Sequence, residues 1–130
     1  MSDIAKYLSE VELALVSSAV VAQYQIIRSW AHTDDGYIRI RATLVNGDFL
    51  EAAEYFVISG EEIVTIDYRH QWMDASRGEL RSRWDSTPHH PELENFPYHL
   101  HLGSEETVAP SQPIGIIALL RLLEDQLARH

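Results

Sequence analysis

Tyr37-Ile38-Arg39-Ile40-Arg41-Ala42-Thr43-Leu44-Val45-Asn46-Gly47-Asp48-Phe49-Leu50-Glu51-Ala52-Ala53-Glu54 is the stretch that decides the fold. Side chains alternate across a strand, so Ile38, Ile40, Ala42 and Leu44 predict one buried face. Tyr37, Arg39, Arg41 and Thr43 predict a polar one. An Asn-Gly pair between two strand-like runs predicts a two-residue type I′ turn, with positive φ at both central residues. That turn sets Val45 opposite Asp48 and Arg39 opposite Glu54, a cross-strand pair of opposite charges. It also sets Glu51 among Ile40, Ala42 and Ala53 on the apolar face, an unusual place for a carboxylate.

Working outward, Asp34-Asp35-Gly36 signals a turn, and residues 19–30 are rich in β-branched and aromatic types that suit a strand. Residues 2–16 predict a helix with Ser2 or Asp3 as its cap and a stripe of Ile4, Leu8, Val11, Leu13 and Leu15. Downstream, Ser59-Gly60-Glu61-Glu62 turns the chain into a long strand over 63–73, where Val64, Ile66, Tyr68, His70 and Trp72 share one face. After a turn at 74–78, residues 80–85 return. Pro88, Pro91 and Pro97 make 86–98 an extended loop. A short strand follows at 98–102, then a polar loop over 103–112. A helix begins near Pro113 and runs to about Arg129 on Ile116, Leu119, Leu120, Leu123 and Leu127. The connections are too short for parallel crossovers. The expectation is an α+β fold in a single domain, residues 1–130: a curved antiparallel sheet of five or six strands flanked by N- and C-terminal helices.

The chain has 130 residues and no cysteine, which excludes a disulfide framework, a thiolate metal centre and a cysteine nucleophile. Its start lacks a secretory pattern, and its longest apolar run, Ile114 to Leu120, is far shorter than the roughly 20 residues that span a bilayer. The expectation is a cytoplasmic protein with no membrane partner. Twenty acidic against ten basic residues give a net charge of -10, a field that repels nucleic acid at long range and attracts a basic partner. Exposed sheet edges make a symmetric homodimer the candidate assembly.

The chemistry concentrates in histidine. Four of seven lie close together, at His89, His90, His99 and His101. Three readings stay open. The first is an open zinc site built on His-x-His with a third imidazole, serving a hydrolase. The second is acid–base chemistry without metal or cofactor: imidazole titrates near neutrality, so two histidines can act as base and acid. In that reading His99, His101, His89 and His90 are the candidate catalytic residues and Tyr68 donates a hydrogen bond. Arg69, Arg81 or Arg83 holds a phosphate through the forked guanidinium. Trp84, Asp85 and His70 complete the candidate substrate-binding set. This constellation suits cleavage of RNA, where a base activates the 2′-hydroxyl and an acid protonates the leaving oxygen. The third is a non-catalytic binding module whose histidine, tryptophan and proline residues order a loop. No phosphate-binding glycine loop, dinucleotide fingerprint, Gly-x-Ser-x-Gly elbow or His-Glu-x-x-His is present.

Ile66-Asp67-Tyr68-Arg69-His70-Gln71-Trp72, Arg83-Trp84-Asp85, Pro88-His89-His90-Pro91 and Phe96-Pro97-Tyr98-His99-Leu100-His101 resemble the small bacterial and archaeal TumE-type proteins, the toxin half of a toxin–antitoxin pair. The resemblance covers about residues 36–128 and is densest over 66–103. It implies a growth-inhibiting protein whose cognate partner is a DNA-binding antitoxin. RNA as the candidate target comes from the acid–base reading of the histidines and arginines, and the resemblance itself names no reaction.

Overall fold

A computed structural model describes residues 2–86, 99–102, 108–110 and 113–128. Ser2 caps the first helix, α1 (Asp3–Ser17), its Oγ accepting from the Ala5 amide at 3.1 Å. Five strands of six residues or more follow: β1 (Val21–Ala31), β2 (Asp35–Leu44), β3 (Phe49–Ser59), β4 (Glu62–Met73) and β5 (Leu80–Asp85). Two short strands, β6 (His99–Leu102) and β7 (Val108–Pro110), extend the sheet before α2 (Ile116–Ala128). All neighbours are antiparallel, in the order β1-β2-β3-β4-β5-β6-β7. This is the α+β architecture expected from the sequence. β7 lies within a stretch read as loop. Its Pro110, which cannot donate to a ladder, sits on the last strand in that order, as prolines in sheets do.

Both helices cover one face of the sheet. Ile4, Val11 and Leu15 of α1 and Ile116, Leu119, Leu120 and Leu123 of α2 pack on Ile38, Ile40, Leu44, Leu50, Ala52 and Phe56, all buried. Each large apolar side chain removed from water contributes about 1.5–3 kcal/mol. Leu13, expected in the α1 stripe, is instead exposed.

The β2–β3 register differs from the one the Asn-Gly pair predicts. Arg39 lies opposite Ala53, Arg41 opposite Glu51 and Ile38 opposite Glu54. The Leu44 amide donates to the Asp48 carbonyl at 2.8 Å and the Gly47 amide to the Leu44 carbonyl at 2.9 Å, so Val45, Asn46 and Gly47 form a three-residue loop. Only Gly47 in that loop has positive φ, at 91°, as the three-residue hairpin requires and type I′ does not. Val45 meanwhile donates to the Val20 carbonyl, which ties the turn to β1. One residue of slip exchanges faces. Glu51 therefore joins the polar face, and Glu54 is the carboxyl group buried among apolar side chains.

A second departure lies in β4. Tyr55 pairs with Asp67 but Phe56 pairs with Thr65, leaving Ile66 as the extra residue of a bulge. Beyond it the alternation inverts. Val64 and Ile66 are exposed, whereas Ile63 and Thr65 turn toward the helices.

Candidate functional site

Three register rows cross the face that the helices leave open. The first runs Trp30–Tyr37–Tyr55–Asp67. The second runs Arg28–Arg39–Ala53–Arg69–Asp85–His99. The third runs Gln25–Arg41–Glu51–Gln71–Arg83–His101. Adjacent strands lie about 4.8 Å apart and rows two residues apart about 7 Å, so the three rows form one patch. The bulges at Ile27 and Ile66 bring Arg28 and Asp67 into it.

The first row is aromatic. The Trp30 ring stacks on His32 at 4.5 Å and on Tyr37 at 6.1 Å, and lies 6.1 Å from Tyr55. Tyr55 donates its hydroxyl to Asp35 Oδ2 at 2.9 Å, and that bond raises its pKa above the ordinary phenol value.

The second row is cationic. Arg28 stands opposite Arg39, an arrangement that repels unless an anion lies nearby. Arg39 donates to Glu51 Oε1 at 2.9 Å and Arg41 to Oε2 at 3.0 Å. Partial burial opposes the charge on Glu51, but the two guanidinium groups outweigh it and hold the carboxyl below its usual pKa. Arg28 and Arg69 make no ion pair among the described residues. Ala53, the small residue between Arg39 and Arg69, forms the floor of two adjoining depressions. One of about 360 Å³ is bounded by Tyr37, Tyr55, Asp67, Arg69 and Ser86. The other, of about 430 Å³, is bounded by Tyr37, Arg39, Glu51, Arg69 and Gln71.

On the inner face, Glu54 and His70 are held by hydrogen bonds with residues distant in sequence. Glu54 is fully buried: Tyr7 and Thr65 donate hydroxyls to Oε2, each at 2.7 Å, and the Ile116 amide donates to Oε1 at 2.9 Å. Glu54 thereby caps α2 from another strand. A Cβ on Gly115 would come within 2.7 Å of Glu54 Oε2, so glycine is needed there for the close approach. Burial, with Glu54 alongside, pushes the Tyr7 phenol far up. His70 is also fully buried, and its Nε2–H donates to the Ile114 carbonyl at 2.7 Å. Burial pushes its pKa down to about 4, so the ring is neutral near pH 7.

The sequence candidates divide between these faces. Arg69, Arg83 and Asp85 belong to the open-face rows. Arg83 and Asp85 are buried there and joined by a 3.1 Å contact between Nε and Oδ2. Tyr68, His70 and Trp84 alternate to the inner face and are buried; Tyr68 and His70 stack at 5.4 Å. Tyr68 also lines the depression of about 360 Å³. Arg81 pairs with Asp48 at 3.4 Å, beside the Trp72 indole, which donates to the same carboxylate. His99 pairs in register with Asp85 and Pro110, and His101 with Arg83 and Val108. His89 and His90 lie outside the described residues.

Sequence reasoning missed Trp30, Tyr37, Tyr55 and Arg28 as a group. Their signal was the same period-two alternation that marked β2, extended to β1 and β3. Among the described residues no cluster of three histidine, aspartate or glutamate side chains is placed to hold a metal ion. No described helix is long and apolar enough to cross a membrane.

A family model described as "Toxin TumE" matches residues 9–129. Comparisons with curated proteins and with solved structures give no significant match.

Proposed function

As a member of the TumE toxin family, the chain is the toxin of a toxin–antitoxin system, and we propose that it arrests growth as a metal-independent endoribonuclease using histidine acid–base chemistry. One imidazole takes the proton from a 2′-hydroxyl, whose oxygen attacks the adjacent phosphorus. A second imidazole gives a proton to the departing 5′-oxygen, leaving a 2′,3′-cyclic phosphate. His99 and His101 fill these roles, or one of them does so with His89 or His90. Arg69 and Arg83 hold the phosphate and offset the charge that builds on it.

The observation that carries this reading is the order of register partners, Arg69–Asp85–His99 beside Gln71–Arg83–His101. Two strand spacings set the His99 backbone about 10 Å from that of Arg69. Side chains of these lengths span that gap when a phosphate lies between them. In this reading Asp85, the register partner of His99, orients the imidazole. The family supplies the antitoxin as partner. A basic, DNA-binding antitoxin suits a toxin with net charge -10, because opposite charges steer association.

The test is growth arrest by His99→Ala and His101→Ala. The expected result is loss of toxicity with thermal unfolding unchanged. Toxicity retained in both single variants and in the double variant would overturn the assignment.

A further inference from the structure

We infer that the open face of the sheet is a track for single-stranded RNA, with bases on the Trp30–Tyr37–Tyr55 row and phosphates on the Arg28–Arg39–Arg69 row, leading toward β6. The inference takes its ligand from the ribonuclease reading, but its geometry stands on residues that take no part in the chemistry.

Four observations converge. First, the chain is acidic, yet the open face gathers Arg28, Arg39, Arg41 and Arg69. Glu51, Asp67 and Asp85 share this face, Glu51 held by Arg39 and Arg41 and Asp85 joined to Arg83. Further acids lie away from it: Asp3, Glu10 and Glu12 on α1, Glu124 and Asp125 on α2, and Asp34, Glu61, Glu62 and Asp74 at turns. Second, Arg28 faces Arg39 and makes no ion pair among the described residues, while Glu51 is already shared between Arg39 and Arg41. A bound phosphate relieves that repulsion. Third, Trp30, Tyr37 and Tyr55 form a half-buried aromatic row beside the cations, with the Trp30 and Tyr37 rings nearly parallel at 19°. Aromatic platforms beside a cationic groove are how proteins hold single strands without reading sequence. A duplex presents no free base faces to such a row. Fourth, the cationic row continues in register through Asp85 to His99, so a strand following it arrives at the proposed catalytic positions.

An acidic protein segment would also meet the arginines, but it would bring no flat base to the rings of the aromatic row.

The test uses fluorescence anisotropy with a labelled RNA oligonucleotide carrying 2′-O-methyl groups, which blocks cleavage, on the full chain. Trp30→Leu and Tyr37→Leu are each expected to weaken binding about tenfold, the scale of one lost base stack. Arg28→Ala, a mild change on an exposed side chain, is expected to weaken binding and lower the salt dependence by about one phosphate contact. Glu61→Gln, at an exposed turn outside the three rows, is expected to bind like the unaltered chain. Binding of the unaltered chain with Trp30→Leu, Tyr37→Leu and Arg28→Ala all unaffected would overturn the track while leaving ribonuclease action standing. Absence of RNA binding, with the same variants instead losing the antitoxin, would overturn it in favour of a protein partner.

Discussion

Glu51 and Glu54 are three residues apart on one strand and show how differently the two faces of the sheet treat the same chemical group. Glu54 lies under the helices, fully buried, with its oxygens engaged by Tyr7, Thr65 and the Ile116 amide. Glu51 lies on the open face in a two-arginine clamp that water reaches. His70 and Arg69 repeat the contrast on the next strand. The histidine is fully buried and tied to the Ile114 carbonyl; the arginine is exposed and has no ion pair among the described residues. Polar groups on the inner face fasten the helices to the sheet. On the outer face some pair with one another, as Glu51 does with Arg39 and Arg41, while Arg28 and Arg69 make no ion pair among the described residues.

The contrast breaks most visibly at Glu54. Glu54→Ala leaves one buried and two partly buried donors without their acceptor and uncaps α2, and is expected to cost about 4 kcal/mol in urea unfolding. A loss below about 1 kcal/mol would mean the inner network is not structural. His70 comes next. Its pKa falls from the ordinary 6.5 to about 4 in the folded chain, so the unfolded chain binds the proton first. The stability His70 contributes is full above about pH 6.5, declines as pH falls toward 4, and is lost below it, a span of about 3 kcal/mol. His70→Gln, which keeps an N–H donor for Ile114, is expected to flatten that part of the stability–pH curve. At the hairpin, Gly47→Ala forces a side chain onto φ 91° and is expected to cost about 1 kcal/mol. The smallest effect belongs to Glu51→Ala. An exposed clamp contributes about 1 kcal/mol or less, so a loss as large as that of Glu54→Ala would erase the distinction between the faces.

Much of the fold was legible because it rests on local periodicity. The alternation of β2, the Ser2 cap and the apolar stripe of α2 each follow from neighbouring residues. What was not legible depends on partners distant in sequence. Tyr7 and Ile116 lie 47 and 62 residues from Glu54, so nothing near it announces a buried carboxyl group. The Asn-Gly pair favours a two-residue turn when considered alone. In the protein, Val45 bonds to Val20 and Gly47 alone takes positive φ, which lengthens the loop by one residue and exchanges the roles of Glu51 and Glu54. The bulge at Ile66 has the same character: it inverts the face of Val64 and is fixed by the pairing of Thr65 with Phe56. For the candidate site, the residue types were legible and their grouping was not. Arg69, Arg83, Asp85, His99 and His101 share adjoining rows only because β4, β5 and β6 pair in this register. Tyr68, His70 and Trp84, intermixed with them in sequence, alternate to the opposite side.

The most direct test is cleavage of a single-stranded RNA by the purified protein in the presence of a chelator, with end-group analysis, comparing the unaltered chain with Arg69→Ala. The account predicts cleavage that survives the chelator, leaves 2′,3′-cyclic phosphate ends, and falls about a hundredfold in Arg69→Ala with the fold intact. RNA left whole by the unaltered chain, or cut equally fast by Arg69→Ala, would contradict it.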